Sequence, residues 1–153
     1  SEVVIHEVRK LVDYVCSDLD NAICNARDLL KQSTILTPSL ETQIVDLSTQ
    51  LYFVIQGQET LGIHEDLARS VRSTVYNEMK LYGSGTVQER TSKAELATKA
   101  NDTVVTIYSR AYKQIKAKSD AGYEVLTALK KILSARISES ELSAVRCDGG
   151  YKA

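Results

Sequence analysis

The sequence predicts an all-α fold, a bundle of long helices, from two features of its composition and pattern. The 153-residue chain contains one proline and seven glycines, few of the residues that the many turns of a strand-rich fold require. Aliphatic residues recur at steps of three and four along most of the chain, the spacing of one helix face. We therefore expect three main helices, at 2–32, 38–82 and 92–137, with the last two forming an antiparallel hairpin.

The first predicted helix, 2–32, carries an apolar seam with heptad-like steps. Further aliphatic residues widen the seam into a stripe, which favours packing against more than one helix. Cys16 and Cys24 lie on or beside this stripe, and we interpret them as reduced core thiols. The seam consists of Val4, Val8, Leu11, Val15, Leu19, Ala22, Ala26 and Leu29.

The second predicted helix starts at Thr37-Pro38, with threonine as N-cap and proline at the first helical position. Two glycines, Gly57 and Gly62, interrupt its interior, and each costs about 1 kcal/mol relative to alanine. We expect a kink, a register change or a short break between them. The seam before the glycines is Leu40, Ile44, Leu47, Leu51 and Val54, and an offset seam after them is Leu67, Val71, Val75 and Met79.

The third predicted helix follows a glycine-rich loop at Tyr82–Thr86, in which Gly83 can close the preceding helix. Ser92 and Glu95 have the spacing of a capping box, so we expect the helix to begin there. After Ile137 the pattern weakens to a short last helix reaching Val145. The apolar stripe is Leu96, Ala100, Val104, Ile107, Ala111, Ile115, Val125, Leu129, Ile132 and Arg136. We expect one helical domain over 1–146 and a mobile tail at 147–153.

Positive charge is concentrated on the third predicted helix. Between Ser109 and Arg136, seven basic residues oppose two acidic ones, which gives +5 on a chain whose total is −1. Lysines beside tyrosines can bind single-stranded nucleic acid, because the cations contact phosphates and the rings stack on bases. The alternative is a solvated helix face with tyrosines at the edge of the core. The predicted nucleic-acid-binding residues are Lys80, Arg110, Tyr112, Lys113, Lys116, Tyr123, Lys130 and Lys131.

Catalysis has no support in the sequence. There is no Ser-His-Asp arrangement and no pair of carboxylates in a buried run, and His6 and His64 lack companion metal ligands at suitable spacing. We therefore predict that the protein is not an enzyme and has no metal, cofactor or small-molecule substrate. No apolar run reaches the ~18–20 residues that span a bilayer, no secretory signal is visible, and three unevenly spaced cysteines indicate reduced thiols and a cytoplasmic location.

Four short motifs in chain order carry a family resemblance. They are Tyr82-Gly83-Ser84-Gly85, Lys93-Ala94-Glu95-Leu96, Asp102-Thr103-Val104 and Leu129-Lys130-Lys131-Ile132. Over about residues 40–137 the chain thereby resembles the recombination mediators of tailed phages (the UvsY type). The resemblance implies ring-like homo-oligomers that bind single-stranded DNA and load a recombinase in the host cytoplasm. The family's Lys-x-Arg pair before the hairpin is replaced here by Asn77 and Met79, with Lys80 adjacent.

Two functions follow as expectations. The first is a non-enzymatic, oligomeric accessory protein that binds single-stranded DNA and assists recombinase loading. The alternative is a helical structural or adaptor subunit of a larger particle, such as a virion component or an effector-complex small subunit, without DNA binding of its own. The broad apolar seams and the opposite charges of the two halves of the chain favour a homo-oligomer in either case.

Overall fold

The structure, a computed structural model, describes the backbone of residues 2–150 and the side chains of 2–147. Within that range the chain forms four α-helices and no strand. They are α1 (Glu2–Leu30), α2 (Thr37–Tyr82), α3 (Val87–Ala97) and α4 (Lys99–Gly150). The all-α prediction is confirmed. Of the predicted tail, residues 147–150 belong to α4 and residues 151–153 lie outside the described range.

Contacts divide the chain into two compact units, each built from segments distant in sequence. Unit 1 comprises residues 1–16 and 54–117, and unit 2 comprises 17–53 and 118–153. Helices α1, α2 and α4 each contribute one part to unit 1 and another to unit 2, whereas α3 belongs to unit 1. The single domain over 1–146 stays a prediction.

The core of unit 2 consists mainly of leucines. Gly122 of α4 lies against these side chains, because a Cβ added there would be 2.9 Å from Leu51 Cδ2. Full burial of a leucine side chain is worth about 1.5–3 kcal/mol, so these residues dominate the stability of the unit. The buried hydrophobic residues are Leu19, Ala22, Ala26, Leu29, Leu40, Leu47, Leu51, Leu126 and Leu129.

The core of unit 1 has smaller side chains and a close helix approach. A Cβ at Gly57 of α2 would lie 2.5 Å from Val15 Cγ1 of α1, so the glycine permits α1 to approach. Helix α2 runs without a break through Gly57 and Gly62, so of the three predicted alternatives the short break is excluded. The buried residues are Val8, Val12, Cys16, Val54, Leu61, Ala94, Thr98, Ala111 and Ile115.

The predicted offset seam in the second half of α2 is partly wrong. Leu67 and Val71 are 57% and 54% exposed, whereas Val75 and Met79 are half-buried. The reason is that the three-and-four spacing continues unshifted from Leu61. It places the half-buried residues Glu65, Ala68, Arg72, Val75 and Met79 on the inner side.

The hairpin region differs from the prediction in where its helices begin and end. Helix α3 starts after Thr86, whose Oγ1 accepts a hydrogen bond from Glu89 N at 3.2 Å, while Thr86 N donates to Glu89 Oε2. This is a complete capping box, and its N-cap Thr86 lies six residues before the predicted N-cap Ser92. Gly85 precedes it with φ +104°, a conformation that favours glycine.

Thr98 separates α3 from α4, and the predicted stripe is shifted there. The Thr98 Oγ1 donates to Ala94 O at 2.9 Å, and Thr98 and Ala94 are both fully buried. Leu96, assigned to the stripe, is 67% exposed, and Ala100 is exposed too. Helix α4 then continues past Ile137, so the predicted separate last helix does not exist.

The turn between α1 and α2 is held from α4 by Arg136. Its Nη1 donates to Thr37 Oγ1 at 2.9 Å, and its Nη2 donates to Ile35 O. The Thr37 hydroxyl therefore bonds to Arg136, and the residue is the first of α2 rather than its predicted N-cap. Arg136 faces inward as the stripe predicted, but its guanidinium is used in these bonds.

Candidate nucleic-acid interface

The basic face of unit 1 consists of Arg110, Lys113 and Lys116, which are all exposed on α4. Ala111 and Ile115 between them are buried, so the helix turns its cations away from the core. The stretch 103–119 contains these three cations and Lys118 but no acidic residue. An anionic chain that follows α4 along this stretch therefore meets no carboxylate from the same helix.

Tyr112 contributes less open ring surface than the sequence indicated. It is half-buried, and its Cε2 would lie 3.5 Å from a Cβ added at Gly62 of α2. One part of the ring therefore packs on the glycine. Base stacking needs an open aromatic face, so Tyr112 offers only its outer part to a ligand.

The other predicted residues of α4 belong to unit 2. Tyr123 is 48% exposed, and Lys130 and Lys131 are exposed. The three side chains lie on α4 outside the buried positions Leu126 and Leu129. The eight predicted residues are thus divided into five in unit 1, including Lys80, and three in unit 2.

Among the seven cations counted between residues 109 and 136, Lys118 and Arg136 are engaged within the protein. Lys118 Nζ lies 2.7 Å from Asp20 Oδ2 in a half-buried ion pair. Arg136 donates to the turn before α2. The charge of this stretch that is available to a ligand is therefore smaller than the +5 read from the sequence.

A cation–aromatic cluster on α2 was not predicted. Arg72 and Lys80 lie over the ring of Tyr76, with 5.1 Å and 5.6 Å to its centroid. Cations at such distances are attracted by the negative face of the ring. The spacing of these residues at i, i+4 and i+8 is the signal that could have identified the cluster. It also explains why Lys80 is half-buried.

The cluster continues to α4 through an ion pair. Arg72 Nε donates to Asp102 Oδ1 at 2.8 Å, and Arg69 donates to Glu65 at 2.8 Å. Arg69, Arg72 and Asp102 border a groove of 330 Å³, together with Ser73 and Val105. Both arginines therefore have carboxylate partners already, which reduces their attraction for an anionic ligand.

A second small depression in unit 1 is apolar. His64 stacks on Tyr108 with 5.3 Å between ring centroids and 15° between ring planes. The two rings and side chains of α1, among them Val3 and Leu11, enclose 200 Å³. The space is small and carries no cluster of polar groups that would define a substrate.

The described residues contain neither a metal-ligand cluster nor a membrane-spanning helix. The described part of the chain contains no group of three or more His, Cys, Asp or Glu side chains that could hold a metal ion. None of its helices combines the length and apolar character needed to cross a membrane. None of the three cysteines forms a disulfide. Cys16 is buried as predicted, whereas Cys24 is exposed like Cys147, so the interpretation of Cys24 as a core thiol is wrong.

Comparison of the chain with protein-family models, curated proteins and solved structures found no match. The resemblance to recombination mediators therefore depends on the short motifs quoted above.

Proposed function

We propose that the protein is a non-enzymatic accessory protein that binds single-stranded DNA along the basic face of α4. The observation that carries this proposal is the exposure of Arg110, Lys113 and Lys116 on a stretch without acidic residues. Side chains of this kind contact phosphates and carry little base preference. The exposed Tyr123 and the outer part of Tyr112 supply the aromatic surface of each unit.

The proposal has further, more specific parts. Self-association is one of them, and assistance to a recombinase in the cytoplasm of a phage host is what the motif resemblance implies. Free thiols are compatible with a reducing compartment. Lys130, Lys131 and Lys80 are secondary contacts in this proposal, because Lys80 also lies over Tyr76.

The test is a titration of labelled oligo-dT at two salt concentrations. Contact with three phosphates gives a slope of log affinity against log salt of about −2, a loss of roughly twentyfold between about 50 and 200 mM salt. The double reversal Arg110→Glu/Lys113→Glu should abolish binding at the lower salt concentration. The matched control is Arg9→Glu/Lys10→Glu, which makes the same charge change at exposed positions of α1.

Equal affinities of the two double variants would reject the basic face as the DNA site. Absence of wild-type binding at low salt would reject DNA binding altogether. A circular dichroism spectrum of each variant with unchanged helix content excludes misfolding as the cause of lost binding.

The second candidate is a helical structural or adaptor subunit without DNA binding. Large exposed apolar side chains favour it, since contiguous apolar patches on a soluble protein mark interaction sites. Tyr52 and Phe53 on the unit 2 part of α2 are examples, at 72% and 62% exposure. A stable partner that remains bound in high salt, together with no oligo-dT binding, would favour this candidate.

A further inference from the structure

An exposed apolar row lies on the outer side of α2 in unit 1. Ile63, Leu67 and Val71 follow one another at i, i+4 and i+8 and are each more than half exposed. Residues at this spacing form one continuous ridge of a helix. We call these three residues the apolar row. It lies away from the inner positions of α2, such as the fully buried Leu61.

The surroundings of the apolar row are acidic. The α2 residues of unit 1 up to Val71 contain Glu59, Glu65 and Asp66 against the single cation Arg69. Arg69 pairs with Glu65 at 2.8 Å. Glu59 and Asp66 are exposed. Two such rows from two copies would bring carboxylates of the same sign together, so this face fits a basic partner better than itself.

The basic face of α4 supplies the complementary surface on another copy of the same chain. Arg110 and Lys113 continue an exposed stripe that begins with Thr103 and Thr106. The threonine hydroxyls donate to Lys99 O and Asp102 O. Because these hydroxyls are bonded to their own helix, the methyl groups are the part left for a partner. Small side chains followed by cations match a bulky apolar ridge with carboxylates beside it.

We propose that the apolar row of one copy docks on the basic face and the two threonines of a second copy. The two surfaces differ, so the contact is heterologous and each copy uses both surfaces. Repetition of such a contact produces a closed ring or an open chain. The docking uses Arg110 and Lys113, so a docked neighbour and single-stranded DNA compete for the same cations. This competition rests on the proposed function, whereas the docking does not.

The docking is tested by sedimentation velocity between about 1 and 100 μM protein. We expect wild-type self-association and a loss of at least about tenfold in association affinity for Leu67→Glu, because the change places a charge in the centre of the contact. The matched control is Leu96→Glu, at an exposed leucine of α3 in the same unit. The control should associate like wild type. A wild-type monomer at the highest concentration, or equal behaviour of the two variants, overturns the docking.

A charge exchange identifies the partner surface. Asp66→Lys and Lys113→Glu should each weaken association severalfold, and the double variant Asp66→Lys/Lys113→Glu should restore it, because opposite charges again face each other across the contact. Failure of the double variant to recover association overturns the assignment of the basic face as the partner surface.

Addition of oligo-dT at low salt separates the docking from the proposed function. We expect DNA to dissociate wild-type assemblies into smaller DNA-bound species. Leu67→Glu should bind oligo-dT at least as well as wild type, since its basic face is uncovered. DNA binding without dissociation overturns the competition. Self-association with no DNA binding rejects the proposed function and leaves the docking intact.

Discussion

The two halves of α2 are stabilised in different ways. The first half, in unit 2, places Leu40, Leu47 and Leu51 in the core with at most 2% exposure. The second half, in unit 1, has no buried residue after Leu61, and its inner positions include the half-buried Glu65. Three large aliphatic side chains of the second half, Ile63, Leu67 and Val71, form the exposed apolar row instead.

The two halves of α2 therefore have different roles: the first half contributes mainly to the stability of the fold, and the second half presents an apolar surface. Burial of aliphatic surface stabilises the first half. Beyond Leu61, ion pairs, a glycine contact and partly buried side chains hold the second half, and these contribute less per residue. The second half can therefore devote apolar side chains to a partner without emptying its own core.

Leu47→Ala should produce the largest loss of stability and tests the first half. The side chain is fully buried, so truncation removes burial and leaves a cavity, which together cost about 2–5 kcal/mol. Leu67→Ala, in the apolar row, should change the free energy of unfolding by at most about 0.5 kcal/mol. Urea denaturation of both variants measures the contrast. Similar losses would mean that the apolar row is part of a core.

Gly57→Ala and Gly62→Ala test the close approach in the second half. A Cβ at Gly57 would lie 2.5 Å and 2.6 Å from the two γ-carbons of Val15. This overpacking should destabilise the protein by about 1–3 kcal/mol. At Gly62 the nearest atom is 3.5 Å away, an ordinary contact. There the higher helix propensity of alanine should stabilise by up to about 1 kcal/mol. The unfolding midpoints of the two variants, measured by heat and by urea, should therefore shift in opposite directions relative to wild type. Shifts of the same sign would contradict this account.

The sequence predicts those parts of the fold that local patterns determine. The three-and-four spacing locates α1 and α2 within two residues of their observed ends. The start of α3 was ambiguous, because Thr86 with Glu89 and Ser92 with Glu95 have the same capping-box spacing. Gly85, with its positive φ, is the feature that favours the first pair. The break at Thr98 was missed because no glycine or proline marks it.

In the candidate interface, too, the features that local sequence patterns determine are predictable and the others are not. Exposure of Arg110 and Lys113 follows from helix periodicity. The engagement of Lys118 by Asp20 joins residues 98 positions apart, and no local pattern encodes such a pairing. Leu67 and Val71 were assigned to a core because apolar residues usually face inward. Polar residues such as Glu65 and Arg72 occupy the inner positions there. Only the three-and-four spacing continued from the buried Leu61 identifies these positions as the inner ones.

The smallest effect is expected from the ion pair between Arg72 and Asp102, which joins α2 to α4 within unit 1. The Nε–Oδ1 distance is 2.8 Å, but the side chains are 35% and 54% exposed. Water screens such a pair, so a double-mutant cycle with Arg72→Met and Asp102→Asn should give a coupling energy of about 0.5 kcal/mol. The coupling should vanish near 1 M salt, where the screening length is about 3 Å.

The pair Lys10–Glu7 on α1 is the matched control for this cycle. Its atoms are 3.6 Å apart, and both side chains are about two-thirds exposed, so we expect no measurable coupling. Equal coupling in the two cycles would show that Arg72 contributes no more than a surface pair. A coupling well above 1 kcal/mol that survives in salt would instead mean that this contact is desolvated. The second half of α2 would then be held by a buried polar contact. The two halves of α2 would then differ in the kind of contact that stabilises them and not in how much stability the contacts contribute.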